Sequence, residues 1–294
     1  MEAKFLTYDI EEWYLEKEFY GNRKEKYQEY DGYLRSIIEL LDETDTKATF
    51  FCLGKIATEF PEVVKLISDK GHEIGCHSNT HAWLNKLTYD QVKEDTHAAI
   101  SALEDVCGSK VKSYRAPAFS IGESNKWALE ILASEGIERD ASIFPAERDF
   151  GGFANCSIES PSIISYNGIE IKEFPIPLTT VLGRELAYSG GGYFRLFPYS
   201  YIRKKIERSD YAMTYFHIED LIDTADSFMS REDYEEYFKE PGTLKNRLSR
   251  YIKSNIGTGR AFEKMSRLIR NVKFYSLAEM DERISWDNVN KVEL

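Results

Sequence analysis

Short apolar runs alternate with amphipathic stretches over most of the chain. The runs are rich in β-branched and aromatic residues and predict strands, whereas the stretches carry apolar residues at helical spacing and predict helices. The predicted strands cover residues 5–8, 48–52, 73–76, 111–114, 169–174 and 212–217. The predicted helices cover residues 33–41, 61–70, 89–106 and 124–134, and Gly71, Gly108 and Gly136 follow three of them as candidate C-caps. This alternation predicts an α/β fold with a parallel sheet or barrel.

The pattern becomes irregular in the second half of the chain. Prolines and glycines cluster over residues 144–192, where we expect functional loops or a small β insertion. The chain turns strongly polar after residue 220 and amphipathic from 244 to 269, and residues 273–277 are predicted to form a last strand. We therefore expect one domain over residues 1–294, with a helical C-terminal extension over 221–294.

Composition and charge narrow the classes of partner. With 42% hydrophobic and 30% charged residues, the 294-residue chain has enough apolar surface to form a core. Its formal net charge of −12 repels phosphate backbones and anionic lipid headgroups, which excludes nucleic acid as a partner. No apolar run approaches the roughly 18 to 20 residues of a membrane span, which excludes membrane insertion. The sequence carries no signal for an oligomeric state.

The cysteines and the first residues suggest a compartment. Cys52, Cys76, Cys107 and Cys156 show no CxxC spacing, and we expect them to be reduced and mostly buried. The chain reaches the acidic residues 9–12 almost at once, without the basic and apolar regions of a signal peptide. We therefore expect a cytoplasmic protein.

Two of the five histidines lie in one short segment directly after a predicted strand. His77 and His81 are separated by Ser-Asn-Thr. If this segment forms one helical turn, both imidazoles lie on the same face and can bind one metal ion at roughly 2.0 to 2.1 Å. The alternative is a pair of surface histidines on a loop.

Three acidic residues, Asp9, Glu11 and Glu12, end the first predicted strand. Because side chains alternate along a strand, Asp9 and Glu11 point the same way. One carboxylate can then bind a metal while the other takes a proton from an attacking water. The alternative is a solvated acidic strand end, which is common in so acidic a chain.

Two further strand ends supply complementary chemistry. Arg115 precedes Ala116-Pro117, so a guanidinium can hold a carboxylate beside a stiffened turn whose N–H can face an oxyanion. His217 ends a late predicted strand, where an imidazole can protonate a leaving amine. Each residue also has an ordinary alternative when it is considered alone. Arg115 can form a loop salt bridge, and His217 can be a packed or an exposed histidine without a catalytic role.

The order of these segments resembles the polysaccharide deacetylases, with the NodB homology domain of carbohydrate esterase family 4. The resemblance covers about residues 5–220, and residues 189–195, with three consecutive glycines, are similar to the exopolysaccharide and lipopolysaccharide biosynthesis branch. The matching segments are Thr7-Tyr8-Asp9-Ile10-Glu11, His77-Ser78-Asn79-Thr80-His81, Arg115-Ala116-Pro117, Asp140-Ala141-Ser142 and Phe216-His217.

The resemblance implies a distorted (β/α) barrel, often seven-stranded, with its site at the C-terminal strand ends. It implies that Asp9 is the general base fixed by Arg115. It also implies that His217 is the general acid oriented by Asp140. The reaction would remove an N-acetyl group from an amino sugar in a polysaccharide or glycolipid precursor. One divalent ion is implied, with zinc favoured over nickel, cobalt, iron(II) or manganese, and its ligands would be Glu11, His77 and His81.

The sequence departs from the commoner family pattern in two places. Many relatives carry consecutive aspartates, whereas here the second acid is displaced to Glu11, with Glu12 as a rival ligand. Ala118 replaces the usual tyrosine, which removes a ring but keeps the backbone N–H. We expect Ala118 to contact substrate together with Tyr193 and Arg195, which follow the three glycines. A tight structural turn is the alternative reading of that glycine segment.

Two other functions fit the same motifs. A deformylase or ring-amide hydrolase would use the same barrel on a different substrate. A catalytically silent carbohydrate-binding protein would keep the polar cluster for structure alone, although retention of Asp9 argues against that reading. The expected compartment and the biosynthetic branch favour a lipid-linked or nucleotide-linked amino sugar as substrate.

Overall fold

A computed structural model describes residues 2–146, 151–153, 158–181, 183–222, 228–238 and 240–294. In these residues the strands are β1 Ala3–Phe5, β2 Thr7–Ile10, β3 Thr49–Cys52, β4 Glu73–Cys76, β5 Ser113–Tyr114, β6 Arg139–Asp140, β7 Ser162–Tyr166, β8 Ile169–Glu173, β9 Leu178–Val181, β10 Arg184–Ala187, β11 Tyr211–Met213, β12 Phe216–His217 and β13 Asn290–Glu293. The α-helices are α1 Glu12–Phe19, α2 Lys24–Glu43, α3 Gly54–Glu59, α4 Pro61–Asp69, α5 Tyr89–Cys107, α6 Ala128–Ser134, α7 Gly191–Leu196, α8 Tyr199–Arg208, α9 Arg231–Phe238, α10 Leu244–Asn255, α11 Ala261–Asn271 and α12 Leu277–Asp281.

Within the described residues, the main sheet has nine strands in the order β12-β2-β3-β4-β5-β6-β8-β7-β13. Every neighbouring pair from β12 to β8 is parallel. Strand β7 pairs antiparallel with β8, and β13 pairs parallel with β7. The predicted α/β fold with a parallel sheet is confirmed. Over the same residues no strand pairing connects β12 with β13, so closure of the seven-stranded barrel stays a prediction.

The first and the late predicted strands are each divided in two. Residue Leu6 separates β1 from β2, and its N–H donates to the carbonyl of Tyr275 at 3.1 Å. The N–H of Thr7 donates to Thr214 Oγ1 at 3.1 Å, and Thr7 Oγ1 donates in return to the carbonyl of Thr214. These side-chain bonds replace the regular ladder, so β1 pairs with β11 and β2 pairs with β12 as two short pairs.

The prediction of a last strand over 273–277 is wrong. Tyr275 makes a single bridge to Phe5, and the next residue already caps α12. Ser276 Oγ accepts the N–H of Glu279 at 3.2 Å, while Glu279 Oε2 accepts the N–H of Ser276 at 2.9 Å. This reciprocal capping box starts a helix where the apolar run suggested a strand. The last strand is β13, which lies beside β7.

Two predicted irregular regions hold further elements. Residues 158–181 and 183–192 contain β7, β8 and the antiparallel β9–β10 pair. Residues 147–150, 154–157 and 182 lie outside the described residues, as does Cys156. The C-terminal region holds α9 to α12 before β13 joins the main sheet.

Helix ends follow the local sequence signals. Thr88 caps α5 in a capping box with Gln91, and α5 ends at Gly108 with a left-handed φ of 67°. Gly71 and Gly136 adopt φ values of 70° and 86°, one residue beyond the C-caps of α4 and α6. A side chain with a Cβ is strained in this region, which is why glycine ends these helices. The three predicted C-terminal glycines are confirmed.

The core lies on the faces of the parallel sheet. The Tyr8 ring of β2 stacks on Phe50 of β3 with centroids 4.9 Å apart and an angle of 15° between the ring planes. Such a pair contributes about 0.5–1.5 kcal/mol beyond the burial of its area. None of the helices in the described part of the chain has the length and apolar content needed to cross a lipid bilayer.

Candidate active site

Polar side chains from four strands meet at the C-terminal edge of the sheet. Asp9 of β2 lies opposite His217 of β12 in the parallel register. His77 directly follows β4, and Arg115 directly follows β5. The C-terminal ends of parallel strands share one edge, so these residues converge. Asp9, His77 and His217 border a cavity of about 330 Å³, here called the strand-end cavity, which is also lined by Trp83, Tyr193, Tyr215, Phe238 and Arg250.

Glu11, His77 and His81 form a cluster at this cavity whose side chains can hold a metal ion. Glu11 Oε2 lies 2.8 Å from His81 Nε2 and 3.4 Å from His77 Nε2. The three ligand atoms lie within 4.8 Å of one another. His77 Nδ1 lies 2.7 Å from the carbonyl of Arg115, which can only accept, so Nδ1 carries the proton and Nε2 is left to bind. Two imidazoles and one carboxylate are a donor set that suits zinc.

The histidine segment is an irregular loop with a bend and not the helical turn expected from its spacing. Ser78 and His81 adopt left-handed φ values of 68° and 60°. Ser78 Oγ accepts the N–H of His81 at 3.1 Å, and Asp95 Oδ2 accepts the N–H of Asn79 at 2.8 Å. The two imidazole centroids nevertheless lie 5.4 Å apart. Strained backbone held by side-chain bonds therefore brings the two rings together.

The carboxylate of Asp9 is fixed by a buried guanidinium. Arg115 Nη1 lies 2.7 Å from Asp9 Oδ1 and donates to Thr7 Oγ1 at 2.7 Å. The Arg115 guanidinium also lies 4.3 Å from the centroid of the Phe51 ring. Arg115 therefore holds Oδ1. The other carboxylate oxygen of Asp9, Oδ2, lies 3.8 Å from His217 Nε2. This is the Asp9–Arg115 pair expected from the resemblance.

His217 is oriented by Asp220. His217 Nδ1 lies 3.0 Å from Asp220 Oδ2, and its Nε2 lies 3.8 Å from Glu11 Oε1. Burial opposes protonation of His217, but the carboxylates of Glu11, Asp220 and Asp9 outweigh it and raise the pKa of the imidazole well above its usual range. Burial likewise opposes ionisation of Glu11, and the imidazoles of His81 and His217 outweigh it and lower the pKa of that carboxyl. Asp220 was not predicted, although its spacing three residues after His217 is a signal that points to it.

The role expected of Asp140 is corrected by the structure. Asp140 lies on β6, five strands from β12 in the sheet order, whereas His217 Nδ1 is held by Asp220. Its Oδ1 accepts from Ser142 Oγ at 2.5 Å, and Ser142 Oγ accepts the N–H of Ala116 at 2.8 Å. Burial raises the pKa of Asp140 to about 6. Asp140 therefore supports the turn that follows Arg115.

Arg195 does not occupy the substrate-contacting place expected for it. Its side chain is only 5% exposed, and its Nη1 lies 3.5 Å from Asp220 Oδ1, behind His217. Tyr193 and Ala118 do line the strand-end cavity. Ala118 adopts a left-handed φ of 52°, a strained conformation for a residue with a Cβ.

The structure distinguishes the two candidate acidic ligands. Glu12 begins α1, where its Oε1 accepts the N–H of Glu219 at 3.0 Å and its Oε2 accepts the N–H of Glu11 at 3.2 Å. Burial and the adjacent Glu11 carboxylate raise the pKa of Glu12 to about 7. Glu11, and not Glu12, belongs to the cluster with the histidines.

The three consecutive glycines, residues 190–192, lie in different surroundings. A Cβ on Gly190 would lie 2.0 Å from the carbonyl oxygen of Tyr215, so only glycine fits there. Gly191 and Gly192 line the strand-end cavity, and Gly191 has a left-handed φ of 54°. Gly190 is therefore required by packing, as the structural-turn alternative predicts. At Gly191 and Gly192, which line the cavity, a close approach of the backbone to a ligand stays a prediction.

Two family models match adjoining parts of the chain. The polysaccharide deacetylase model matches residues 26–139, which include His77, His81 and Arg115. A domain of unknown function, DUF3473, matches residues 141–282, which include His217 and Asp220. The residues that line the strand-end cavity are thus divided between the two models, except for Asp9 and Glu11, which precede both.

Two curated relatives are similar to part of the chain. The chain is 37% identical over 95 residues to a peptidoglycan-N-acetylglucosamine deacetylase of Bacillus cereus, covering 32% of this chain and 34% of that protein. It is 32% identical over 98 residues to a chitooligosaccharide deacetylase of Azorhizobium caulinodans, covering 33% of this chain and 44% of that protein. The chain thus spans less than half the length of these relatives.

The fold has a counterpart that extends over nearly the whole chain. The crystal structure of a "putative polysaccharide deacetylase" from Mycobacterium smegmatis superposes with a TM-score of 0.62 at 17% identity, over 99% of this chain and 93% of that one. An identity this low supports the fold alone. Residues 26–139 thus match the polysaccharide deacetylase family model, and the fold of nearly the whole chain is similar to that of the Mycobacterium smegmatis protein.

Proposed function

We propose that this protein is a metal-dependent amide hydrolase that removes N-acetyl groups from amino sugars in a polysaccharide or glycolipid precursor. The observation that carries this proposal is the placement of the Glu11, His77 and His81 cluster beside Asp9 and His217 in one cavity. The activities named for the relatives, on peptidoglycan and chitooligosaccharide, support an N-acetylated saccharide as substrate.

Glu11, His77 and His81 would hold one divalent ion, and their two imidazoles and one carboxylate favour zinc. Bound there, a divalent ion supplies Lewis acidity that activates water and polarises the amide carbonyl. The hydrogen bond from His77 Nδ1 to the Arg115 carbonyl fixes the orientation of one ligand ring.

Asp9 and His217 would move the protons of the reaction. Asp9 accepts a proton from the attacking water as the water oxygen bonds to the acetyl carbon, while Arg115 holds the other carboxylate oxygen. His217 donates the proton on Nε2 to the amide nitrogen as the carbon–nitrogen bond breaks, and Asp220 holds Nδ1. Acetate and a free amino sugar are the products.

The walls of the cavity support a sugar as the ligand. Trp83, Tyr193 and Tyr215 line it, and aromatic faces pack against the apolar faces of sugar rings. A volume of about 330 Å³ lies at the small end of ligand sites, in keeping with one or two sugar units.

We place the reaction in the cytoplasm, on a lipid-linked or nucleotide-linked precursor. Cys52, Cys76 and Cys107 are free thiols, as is usual in a reducing compartment. Cell fractionation of the native host tests this placement. Recovery of the active chain outside the inner membrane, acting on extracellular polymer, would contradict it.

Acetate release from N-acetylated chitooligosaccharides tests the proposed activity. We expect release that stops on chelation, returns with zinc and is absent from Asp9→Asn. Formate release from N-formylated sugars without acetate release would identify a deformylase. Saccharide binding without any hydrolysis would identify a carbohydrate-binding protein.

A further inference from the structure

Helix α10 exposes a continuous apolar stripe. Its members are spaced four residues apart, so they lie along one face of the helix and continue just past its end. Their exposed fractions are 66%, 47%, 50% and 40%. The stripe consists of Leu244, Leu248, Ile252 and Ile256.

The opposite face of α10 packs against the protein. The Arg250 guanidinium lies 4.2 Å from the Phe238 ring centroid, and the Arg247 guanidinium lies 4.9 Å from that of Phe228. Arg247 Nη1 also donates to the carbonyl of Met229 at 3.1 Å. The stripe is therefore the outward face of a helix that is anchored through its arginines.

The segment that carries the stripe is opposite in charge to the whole chain. Residues 244–270 carry eight lysine or arginine residues and a single acidic residue, Glu263, in a chain with a net charge of −12. Lys245 is exposed beside the first two leucines of the stripe. A second cavity, of about 190 Å³, lies just beyond Ile256 and is lined by Arg195, Arg260, Lys264 and Arg267. The net charge of the whole chain therefore does not describe this segment.

The stripe is next to the strand-end cavity. Arg250 and Phe238, which anchor α10, both line that cavity. Beyond the end of α10, Gly257 lies against the backbone of Arg195 in α7, where a Cβ would meet its carbonyl oxygen at 3.1 Å. Tyr193 of the same helix lines the cavity as well. A surface that covered the stripe would therefore lie close to the bound saccharide.

We propose that α10 docks the protein on the surface of an anionic phospholipid bilayer. The stripe would enter the boundary between headgroups and acyl chains, and the exposed Lys245 would face the lipid phosphates. A second copy of this chain is a poorer occupant, because a symmetric contact would bring two such basic segments together. The docking goes beyond the proposed function, and it would present membrane-borne glycans to the cavity.

Co-sedimentation of the full-length protein with lipid vesicles tests the proposal. We expect binding to vesicles of equal parts phosphatidylglycerol and phosphatidylcholine, and at least about tenfold weaker binding to phosphatidylcholine alone. The double substitution Leu248→Gln with Ile252→Gln should weaken binding at least about tenfold, because it removes two apolar side chains from the interface. Lys245→Glu should weaken binding to the anionic vesicles only, and high salt should reduce the difference.

Matched substitutions elsewhere serve as controls. Tyr89→Gln changes an apolar side chain that is 43% exposed on α5, and Lys65→Glu reverses an exposed charge on α4. Both should bind vesicles as the unmodified protein does. Thermal unfolding and acetate release from a soluble chitooligosaccharide should be unchanged in all four variants, so that a folding defect or a failed activity assay is told apart from lost docking.

Three results would overturn the proposal. The first is absence of binding to anionic vesicles at low salt by the unmodified protein. The second is equal vesicle binding by the stripe variant and the Tyr89→Gln control. The third is a dimer in sedimentation velocity that is lost in the stripe variant, which would assign the stripe to a second copy of the chain.

Discussion

His217 Nδ1 and Asp220 Oδ2 lie 3.0 Å apart, which makes Asp220 the carboxylate that orients the imidazole facing Asp9 and Glu11. Asp220 is in turn 3.5 Å from Arg195, whose side chain is buried. A histidine held in this way presents Nε2 to the cavity in one orientation. The loss of this contact should therefore affect proton transfer more than substrate binding.

Asp220→Ala should lower kcat at least about tenfold, a part of the 10²- to 10⁴-fold that general acid–base catalysis contributes. KM and metal content should change little, and Asp220→Glu should restore part of kcat. Steady-state kinetics with metal analysis checks this. Asp140→Asn is the comparison, since Asp140 supports the Ala116 turn through Ser142. A loss of metal in Asp220→Ala would contradict the positioning role.

His77→Ala or His81→Ala should remove the bound divalent ion, because each variant leaves two of the three ligands. Elemental analysis of the purified proteins measures the occupancy. His97→Ala is the matched control, since His97 is an exposed histidine paired with Glu135 at 2.9 Å. Full occupancy in a double His77→Ala, His81→Ala variant would place the ion elsewhere.

Asp9→Asn should keep the metal and lose roughly 10²- to 10⁴-fold in turnover. The amide oxygen can still accept from Arg115, so the buried guanidinium keeps a partner and the fold should persist. Acetate release, metal content and thermal unfolding are measured on the same preparation. If turnover is unchanged at full metal content, Glu12 becomes the candidate base.

Tyr193→Ala should raise KM for saccharide, because Tyr193 lines the strand-end cavity. Arg195→Ala should instead lower kcat and thermal stability with little effect on KM, since it removes the buried cation beside Asp220. Steady-state kinetics of the two variants measure KM and kcat separately and so distinguish substrate contact from support of Asp220. If Arg195→Ala raised KM and left kcat unchanged, Arg195 would be assigned to substrate contact instead.

His72 should make the protein less stable in acid. Its ring is buried 5.3 Å from the Phe50 ring centroid, and burial, with a smaller contribution from Lys47, lowers its pKa to about 4. The unfolded chain titrates near the ordinary value of about 6.5 and so binds more protons between these two pKa values. The free energy of unfolding therefore falls by about 3 kcal/mol as pH drops from about 6.5 to about 4.

His72→Phe keeps a ring beside Phe50 and should remove this part of the acid loss. Urea unfolding of both proteins at about pH 7 and about pH 4.5 measures the difference. The same drop in unfolding free energy in both proteins would show that His72 does not contribute.

Local features of this protein follow from its sequence. The alternation of apolar runs with amphipathic stretches predicts the parallel α/β sheet, since burial on both faces of a strand and on one face of a helix leaves a local pattern. The helix ends at Gly108 and Thr88 are equally local, because caps depend on neighbouring backbone groups. The strand-end positions of Asp9, His77 and His217 can also be predicted from the sequence, since each residue directly ends or follows an apolar run.

Partners across the sheet are decided only by the tertiary structure. Asp140 and Asp220 are both acidic residues close to a strand end, yet only the strand order shows that Asp140 lies five strands from His217. The loop that joins His77 to His81 is held by Asp95 of α5, and the spacing of the histidines alone does not reveal this contact. The amphipathic pattern of residues 244–269 likewise does not say whether its apolar face is covered. The fold leaves Leu244 and Ile252 at 66% and 50% exposure, because the arginines of α10 take the inward face.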